Sequence, residues 1–143
     1  MPYKKVPCKI CGKLIQPIYS RTEFNHSGLC KDCYKTQIDN DKLKHWLETG
    51  DAGTKPTSTI RGVIRKYIYQ KQNQCCAICG IKNEWNGKEL KFILDHIDGD
   101  ASNNEESNLR LICPNCDSQL DTYKSKNKNS ARNRKKYTQI TTE

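Results

Sequence analysis

Long apolar runs are missing from this chain. No stretch approaches the roughly 20 consecutive apolar residues that a membrane-spanning helix needs. The opening residues, Met1-Pro2-Tyr3-Lys4-Lys5, lack the apolar centre of a secretory signal. The expected compartment is therefore a reducing cytosol. Apolar residues are scarce throughout. They make up 34% of 143 residues, charged residues reach 29%, and the mean hydropathy is -0.91. Such a chain would struggle to offset its conformational entropy by apolar burial alone, which argues against one large core. Acidic side chains are in deficit as well. Sixteen Asp and Glu face 25 Lys and Arg, giving a formal charge of +9 and a pI near 9.1. That balance favours a polyanionic partner, although a generic basic protein carries the same charge.

Nine cysteines suggest what compensates for the small core. Cys8-Lys9-Ile10-Cys11-Gly12 and Cys30-Lys31-Asp32-Cys33 are two CxxC pairs with eighteen residues between them. Each pair can form a knuckle that offers two sulfurs to one tetrahedral ion, so the spacing suits a four-thiolate zinc site. A third pair, Cys76 with Cys79 in Cys75-Cys76-Ala77-Ile78-Cys79-Gly80, is followed after thirty-three residues by Cys113 and Cys116. Two structural Zn²⁺ per chain are the expectation; disulfides are the alternative, disfavoured in a reducing compartment. Cys75 is left over and reads as a buried apolar residue. His26 lies between the first two pairs and reads as a surface or packing residue, since four thiolates already close the site.

Other segments organise the chain around these sites. Leu14-Ile15, Ile18-Tyr19 and Phe24 suggest a small hairpin and its packing. A short helix is predicted over Asn40–Gly50, with Leu43, Trp46 and Leu47 as its apolar face and His45 off that face. Asp51–Thr57 contains Gly53 and Pro56 and reads as a linker between two halves. Ser58–Gln72 is the clearest amphipathic helix, with Ile60, Val63, Ile64, Tyr67 and Ile68 at helical spacing. Gly62 inside it would cost about 1 kcal/mol against Ala. Arg61, Arg65 and Lys66 lie largely off the stripe, where they can meet phosphates or form a solvated face. Asn86-Gly87 is a hairpin-turn signal, and Trp85 before it is expected to pack. From Lys124 to Lys136 the chain carries Lys124, Lys126, Lys128, Arg132, Arg134, Lys135 and Lys136 and no acid. This run is either a phosphate-contacting arm or a solvated tail.

The most informative stretch runs from Lys91 to Tyr123. Lys91–Leu94 reads as a strand ending on Asp95-His96. A polar loop follows, then a second strand at Leu109-Arg110-Leu111-Ile112. Cys113-Pro114-Asn115-Cys116 turns into a helix that carries Asp117, Gln119 and Asp121. Strand, loop, strand and helix make a ββα unit. It gathers carboxylates, an imidazole and an amide, a set able to bind a divalent metal and activate a water beside it. His96, with an ordinary pKa of about 6.5, is the candidate general base. On a strand Asp95 and His96 point to opposite sides, so a twist or bulge is needed to bring both to one site. Asp117 and Asp121 are four apart and share a face of the predicted helix, a face that can complete the metal site. Arg110 is a candidate phosphate contact. Asp98-Gly99-Asp100 is out of register with an EF-hand calcium loop.

These residues resemble the HNH endonucleases, whose core is a ββα-metal (His-Me finger) unit. The likeness rests on Asp95-His96-Ile97-Asp98-Gly99-Asp100, Asn103-Asn104, Asn108-Leu109-Arg110 and Cys113-Pro114-Asn115-Cys116. It is strong from about Cys76 to Asn127 and weaker back to Trp46 and on into the basic tail. Nothing comparable covers residues 1–40. The resemblance implies Asp95 on a metal, His96 on the attacking water, and Asn108 fixing the loop and the orientation of His96; Asn103 or Asn104 can do the same local work. One position departs from the pattern: family members usually carry His directly after the second Cys, where this chain has Asp117. A carboxylate there hardens the site and favours Mg²⁺ or Mn²⁺.

The expected fold is α+β: a small ββα-metal core stapled by one four-cysteine zinc site, preceded by an N-terminal four-cysteine zinc module and helices. The expected divisions are a zinc module at 1–38, a short helix and linker at 39–57, an HNH domain at 58–127 and a basic tail at 128–143. The function implied is metal-dependent hydrolysis of double-stranded DNA, with no membrane partner. One such site cuts one strand, so double-strand cleavage would call for a homodimer or two visits. The alternative is a non-catalytic, zinc-dependent nucleic-acid-binding protein derived from the same fold, with Asp117 as the mark of lost catalysis.

Overall fold

The structure is a computed structural model and describes residues 4–16, 27–55 and 60–128. Ile18, Tyr19, Phe24 and His26, for which packing roles were expected, lie outside the described residues, as does everything from 129 onward. The chain forms two compact units, Met1–Lys44 and His45–Glu143. The architecture is mixed α+β, built from three two-stranded antiparallel ladders and three α-helices among the described residues. None of these helices is long and apolar enough to cross a membrane.

In the first unit, β1 (Val6–Pro7) pairs with β2 (Leu14–Ile15), Val6 opposite Ile15 and Pro7 opposite Leu14. Its buried centre is Cys8, Leu29 and Cys30, with Ile15, Cys33 and Tyr34 packed against them. Helix α1 (Lys31–Thr49) starts at Lys31 rather than at Asn40, and its last residues, from His45 on, belong to the second unit. The cap that begins it is a sulfur: the backbone N–H of Cys33 donates to Cys30 Sγ at 3.4 Å. A thiol at that position does the work usually given to Ser or Asp, and it satisfies one of the helix's orphan donors.

In the second unit, α2 (Val63–Lys71) is shorter than predicted. Gly62 stands ahead of its first helical residue with φ +68, so the expected cost of a glycine inside a helix does not arise. Ile60, Ile64 and Ile68 are buried, together with Trp46, Leu111 and Ile112. Trp46 meets Tyr67 edge to face at a centroid distance of 5.8 Å, a favoured aromatic geometry. Strands β3 (Glu84–Trp85) and β4 (Lys88–Glu89) are joined by Asn86-Gly87, both at positive φ, which is the primed turn that this dipeptide predicts. Trp85 does not pack as expected and is 66% exposed. The ladder is only two residues long and its strand residues are all exposed, so Trp85 borders an apolar pocket with Ile81, Leu90 and Pro114 without being buried there.

Strand β5 (Ile93–His96) lies antiparallel to β6 (Leu109–Ile112), with Asp95 opposite Arg110 and His96 opposite Leu109. The strand therefore begins later than predicted, at Ile93, and ends on Asp95-His96 as expected. Helix α3 (Pro114–Ser118) is a single turn and a half. It does not reach Asp121, because the backbone tightens: Gln119 N–H bonds to Cys116 O and Leu120 N–H to Asp117 O, three residues back rather than four.

The outer edge of β6 is closed by a side chain. The Gln72 amide donates to Leu111 O at 2.9 Å and accepts from Leu111 N–H at 2.8 Å, imitating a neighbouring strand. Gln72→Ala would leave the buried Leu111 N–H without a partner, while Leu111 O keeps the Ala77 N–H at 3.0 Å. We expect this variant to lose about 1–3 kcal/mol of unfolding free energy in denaturant titration, and Gln72→Glu, which keeps the acceptor but removes the donor, to lose part of that.

Candidate metal centres and catalytic cleft

Two sets of four sulfurs converge, Cys8, Cys11, Cys30 and Cys33 in the first unit and Cys76, Cys79, Cys113 and Cys116 in the second. Within each set the Sγ atoms lie within 4.8 Å of one another. All nine cysteines are free thiols rather than disulfides. A tetrahedral ion with Zn–S bonds of about 2.3 Å requires sulfurs about 3.8 Å apart. Cys11 Sγ to Cys30 Sγ and Cys79 Sγ to Cys113 Sγ are both 3.7 Å. The residues thus fit zinc in size and in donor chemistry.

The two sites are built alike. Gly12 N–H bonds to Cys8 O and Gly80 N–H to Cys76 O, and both glycines sit at positive φ. Cys30 N–H donates to Cys8 Sγ at 3.2 Å, and Cys113 N–H to Cys76 Sγ at 3.2 Å. Cys113 Sγ then caps α3 by accepting from Cys116 N–H at 3.4 Å, as Cys30 caps α1. These donors stabilise thiolate. Backbone N–H groups of Cys11 and Cys30 draw Cys8 down to about 6. Burial pushes Cys76 up, but the N–H groups of Cys79, Cys113 and Ile78 outweigh it and leave it at about 6. Cys33 is pushed to about 12, first by its sulfur contacts with Cys30 and Cys11. Cys116 is pushed to about 12 by burial and then by Cys79 and Cys113. Sulfurs this crowded cannot all ionise unless a cation sits among them. Cys75 is not part of either set; it is half-exposed, and its thiol meets Asn73 O at 3.3 Å.

The second sulfur site fixes the start of α3 directly after β6, and this brings α3 beside β5. Asp95, His96 and Asp117 line one cleft of about 480 Å³, together with Gly99, Tyr123, Lys124 and Asn127. Asp117 has its carboxyl pushed above the ordinary range, by burial first and then by the charge of Asp95, with Lys124 acting the other way. Asp95 accepts a hydrogen bond from Arg110 Nε at 2.7 Å across the ladder. His96 Nε2 lies 2.9 Å from Asn104 Oδ1. An amide oxygen only accepts, so Nε2 carries the proton and Nδ1 is the basic nitrogen. Asn108 does other work. Its amide donates to Asp98 Oδ1 at 2.9 Å and to Asn103 O at 2.8 Å, and its Oδ1 accepts from Asp98 N–H at 3.0 Å. It clasps the loop, while Asn104 holds the imidazole. Asp98 and Asp100 accept hydrogen bonds from that loop's own donors, including Asn103 and Ser102. Gly99 is required where it is. With φ +77, a Cβ there would meet Asn127 Oδ1 at 2.7 Å and Thr122 Cγ2 at 3.0 Å.

Asp121 is exposed in the turn after α3 and is not among the cleft-lining residues. Of the basic residues singled out from sequence, Arg61, Lys66, Lys126 and Lys128 are exposed. Lys124 borders the cleft, its ammonium 4.7 Å from the Tyr123 ring centroid. Arg65 donates to Phe92 O and Arg110 to Asp95, so both are engaged in the fold. Arg132, Arg134, Lys135 and Lys136 lie outside the described residues. Sequence reasoning did not separate Asn104 from Asn108, because only the loop's folded path tells which amide reaches the imidazole. It also missed Tyr123 and Asn127 as cleft residues.

Metal analysis of the reduced, folded protein should find two Zn²⁺ per chain. Cys30→Ala and Cys113→Ala should each lose one, and Cys113→Ala should unfold the second unit. Structural zinc contributes on the order of 10–16 kcal/mol of apparent binding free energy in small domains. Protons compete with zinc for thiolate, so acidification should release the metal and unfold the protein together.

Over 52 residues the chain is 42% identical to the H-N-H endonuclease F-TflIV of Escherichia phage T5, a match covering 36% of this chain and 22% of the phage protein. The chain thus spans about a fifth of that relative's length. No protein-family model and no solved structure matches it. The chain is a partial homologue of a phage H-N-H endonuclease, and it carries two four-cysteine clusters.

Proposed function

We propose that this chain is a metal-dependent DNA endonuclease. The observation that carries the reading is the meeting of Asp95, His96 and Asp117 in one cleft; the partial homology supports it. His96, held through Nε2 by Asn104, keeps Nδ1 free to take the proton of an attacking water. Asp95 and Asp117 are the residues that would hold a divalent cation. Their fit rests on donor chemistry: hard oxygen donors, close enough that the charge of one raises the pKa of the other, a repulsion that a cation relieves. Among the described residues no third ligand converges on these two within the spacing seen for the sulfurs. Two carboxylates with water and phosphate oxygens is the habit of Mg²⁺ rather than of a softer ion. Such a cation supplies charge stabilisation for the phosphate and the departing oxygen. Lys124 borders the cleft where a phosphate would lie, and Lys126 and Lys128 follow it on the exposed surface.

A second reading has one observation in its favour. Arg110 occupies Asp95 through a charge-assisted hydrogen bond at 2.7 Å. On that reading the pair is a cross-strand bridge, and the protein binds nucleic acid without cutting it.

Plasmid nicking in Mg²⁺, Mn²⁺ or EDTA separates the two. His96→Ala should lower the nicking rate by about 10² to 10⁴ with DNA binding and both zincs retained. Asp117→Asn should weaken metal dependence and rate together, whereas Asp117→His should keep cutting and shift preference towards softer ions. A natural protein that never cuts beside a cutting Asp117→His variant would establish the binding reading.

The basic run has its own test. Removing residues 124–143 should flatten the dependence of DNA affinity on salt, by about 0.9 in log–log slope for each phosphate that the run neutralises. An unchanged slope would make the run a solvated appendage.

A further inference from the structure

The hydrolysis proposed for the cleft makes no use of helix α1, yet the last turn of α1 reaches the residue that holds His96. Trp46 is 1% exposed, the most buried aromatic among the described residues. Its indole Nε1–H donates to the main-chain carbonyl of Asn104 at 2.6 Å. The side chain of the same Asn104 meets His96 Nε2 at 2.9 Å. Asn104 is itself buried, 9% exposed. Two short bonds in series therefore join the indole of α1 to the imidazole of the cleft, with one loop residue between them.

We propose that Trp46 is a positioning residue for His96, rather than a packing residue alone; the proposal rests on the nuclease reading only for its effect on rate. The surroundings explain why the link is stiff. Gly50, at φ +72, ends α1 so close to the loop that a Cβ there would meet Glu105 Cγ at 3.2 Å and Glu105 Cα at 3.7 Å. Glu106 Oε1 accepts from Tyr67 Oη at 2.8 Å and from Lys71 Nζ at 2.6 Å. Tyr67 in turn sets its ring edge to face with Trp46. Residues 104, 105 and 106 are thus gripped one after another, by Trp46, by the end of α1 and by α2. Among the described residues Asn104 is the hydrogen-bond partner of the imidazole. A small rotation of the loop would carry the amide away from Nε2 and release both the ring and its tautomer. Packing alone would be satisfied by any large aromatic ring. The indole N–H adds a donor to a buried carbonyl that would otherwise have to turn towards water.

The test removes the donor and keeps the ring. In the zinc-loaded 143-residue chain, Trp46→Phe should shift the nitrogen NMR signature of His96, assigned with His96→Ala, from a single Nε2–H tautomer to a mixture. The nicking rate at saturating DNA should fall about 10- to 100-fold, the scale of a misplaced catalytic group, with the DNA concentration for half-maximal rate unchanged. Trp85→Phe, at an exposed indole, should change neither. If Trp46→Phe fails to fold, replacing Trp46 by the isosteric analogue with sulfur in place of the indole N–H reads the same quantities at constant volume. A wild-type tautomer signature and rate in a folded variant would overturn the proposal. Should the natural protein not cut at all, the nuclease reading fails, and the nitrogen signature still decides the role of Trp46.

Discussion

Four sulfurs within 4.8 Å of one another are the constraint on which the second unit depends. They tie Cys76 and Cys79, near the end of α2, to Cys113 and Cys116, where β6 passes into α3. Beyond that tie, the corner rests on a small cluster of buried apolar side chains, Ile64, Ile68, Leu111 and Ile112. The tie also decides the chemistry. It sets α3 to begin immediately after β6, and so it places Asp117 across the cleft from Asp95. Like charges held close in partial burial are unfavourable in themselves. A scaffold fixed from outside the cleft can hold them there.

Around that corner, polar bonds aimed at backbone act beside the buried Ile64, Ile68, Leu111 and Ile112. Gln72 closes the edge of β6, Asn108 clasps the loop between the strands, and Trp46 reaches Asn104 O. Each uses a side chain to replace a missing strand or turn. Such bonds are modest individually but costly to leave half-made. They give a small unit a definite geometry at the place where His96 must be held.

Features with a local chemical cause could be read from the sequence. CxxC spacing gave the two sulfur sites, because a knuckle needs only those few residues. Asn86-Gly87 gave its turn, and the Leu109–Ile112 strand appeared with its full extent. What escaped depends on partners distant in sequence. Helix α1 begins at Lys31 because Cys30 is its cap, and a metal-binding cysteine does not read as a cap. Arg65 and Arg110 looked like free cations until β5 and the segment before it supplied Phe92 O and Asp95. Trp85 was expected to pack, yet its two-residue hairpin leaves the indole at the rim of a pocket, 66% exposed. Asp117 and Asp121 share a face only on a helix long enough to carry both, and α3 stops at Ser118.

The two sulfur sites are alike in burial as well as in bonding. In each, the first and third cysteines are buried, the fourth is half-buried and the second, Cys11 or Cys79, is exposed. Each tetrahedron therefore presents one corresponding vertex to solvent. With zinc bound, an incoming chelator or oxidant would meet Cys11 or Cys79 before any other sulfur, since these are the exposed members of each set. Metal loss from either unit should follow the same sequence of bond-breaking, although the two units have different neighbours and different work.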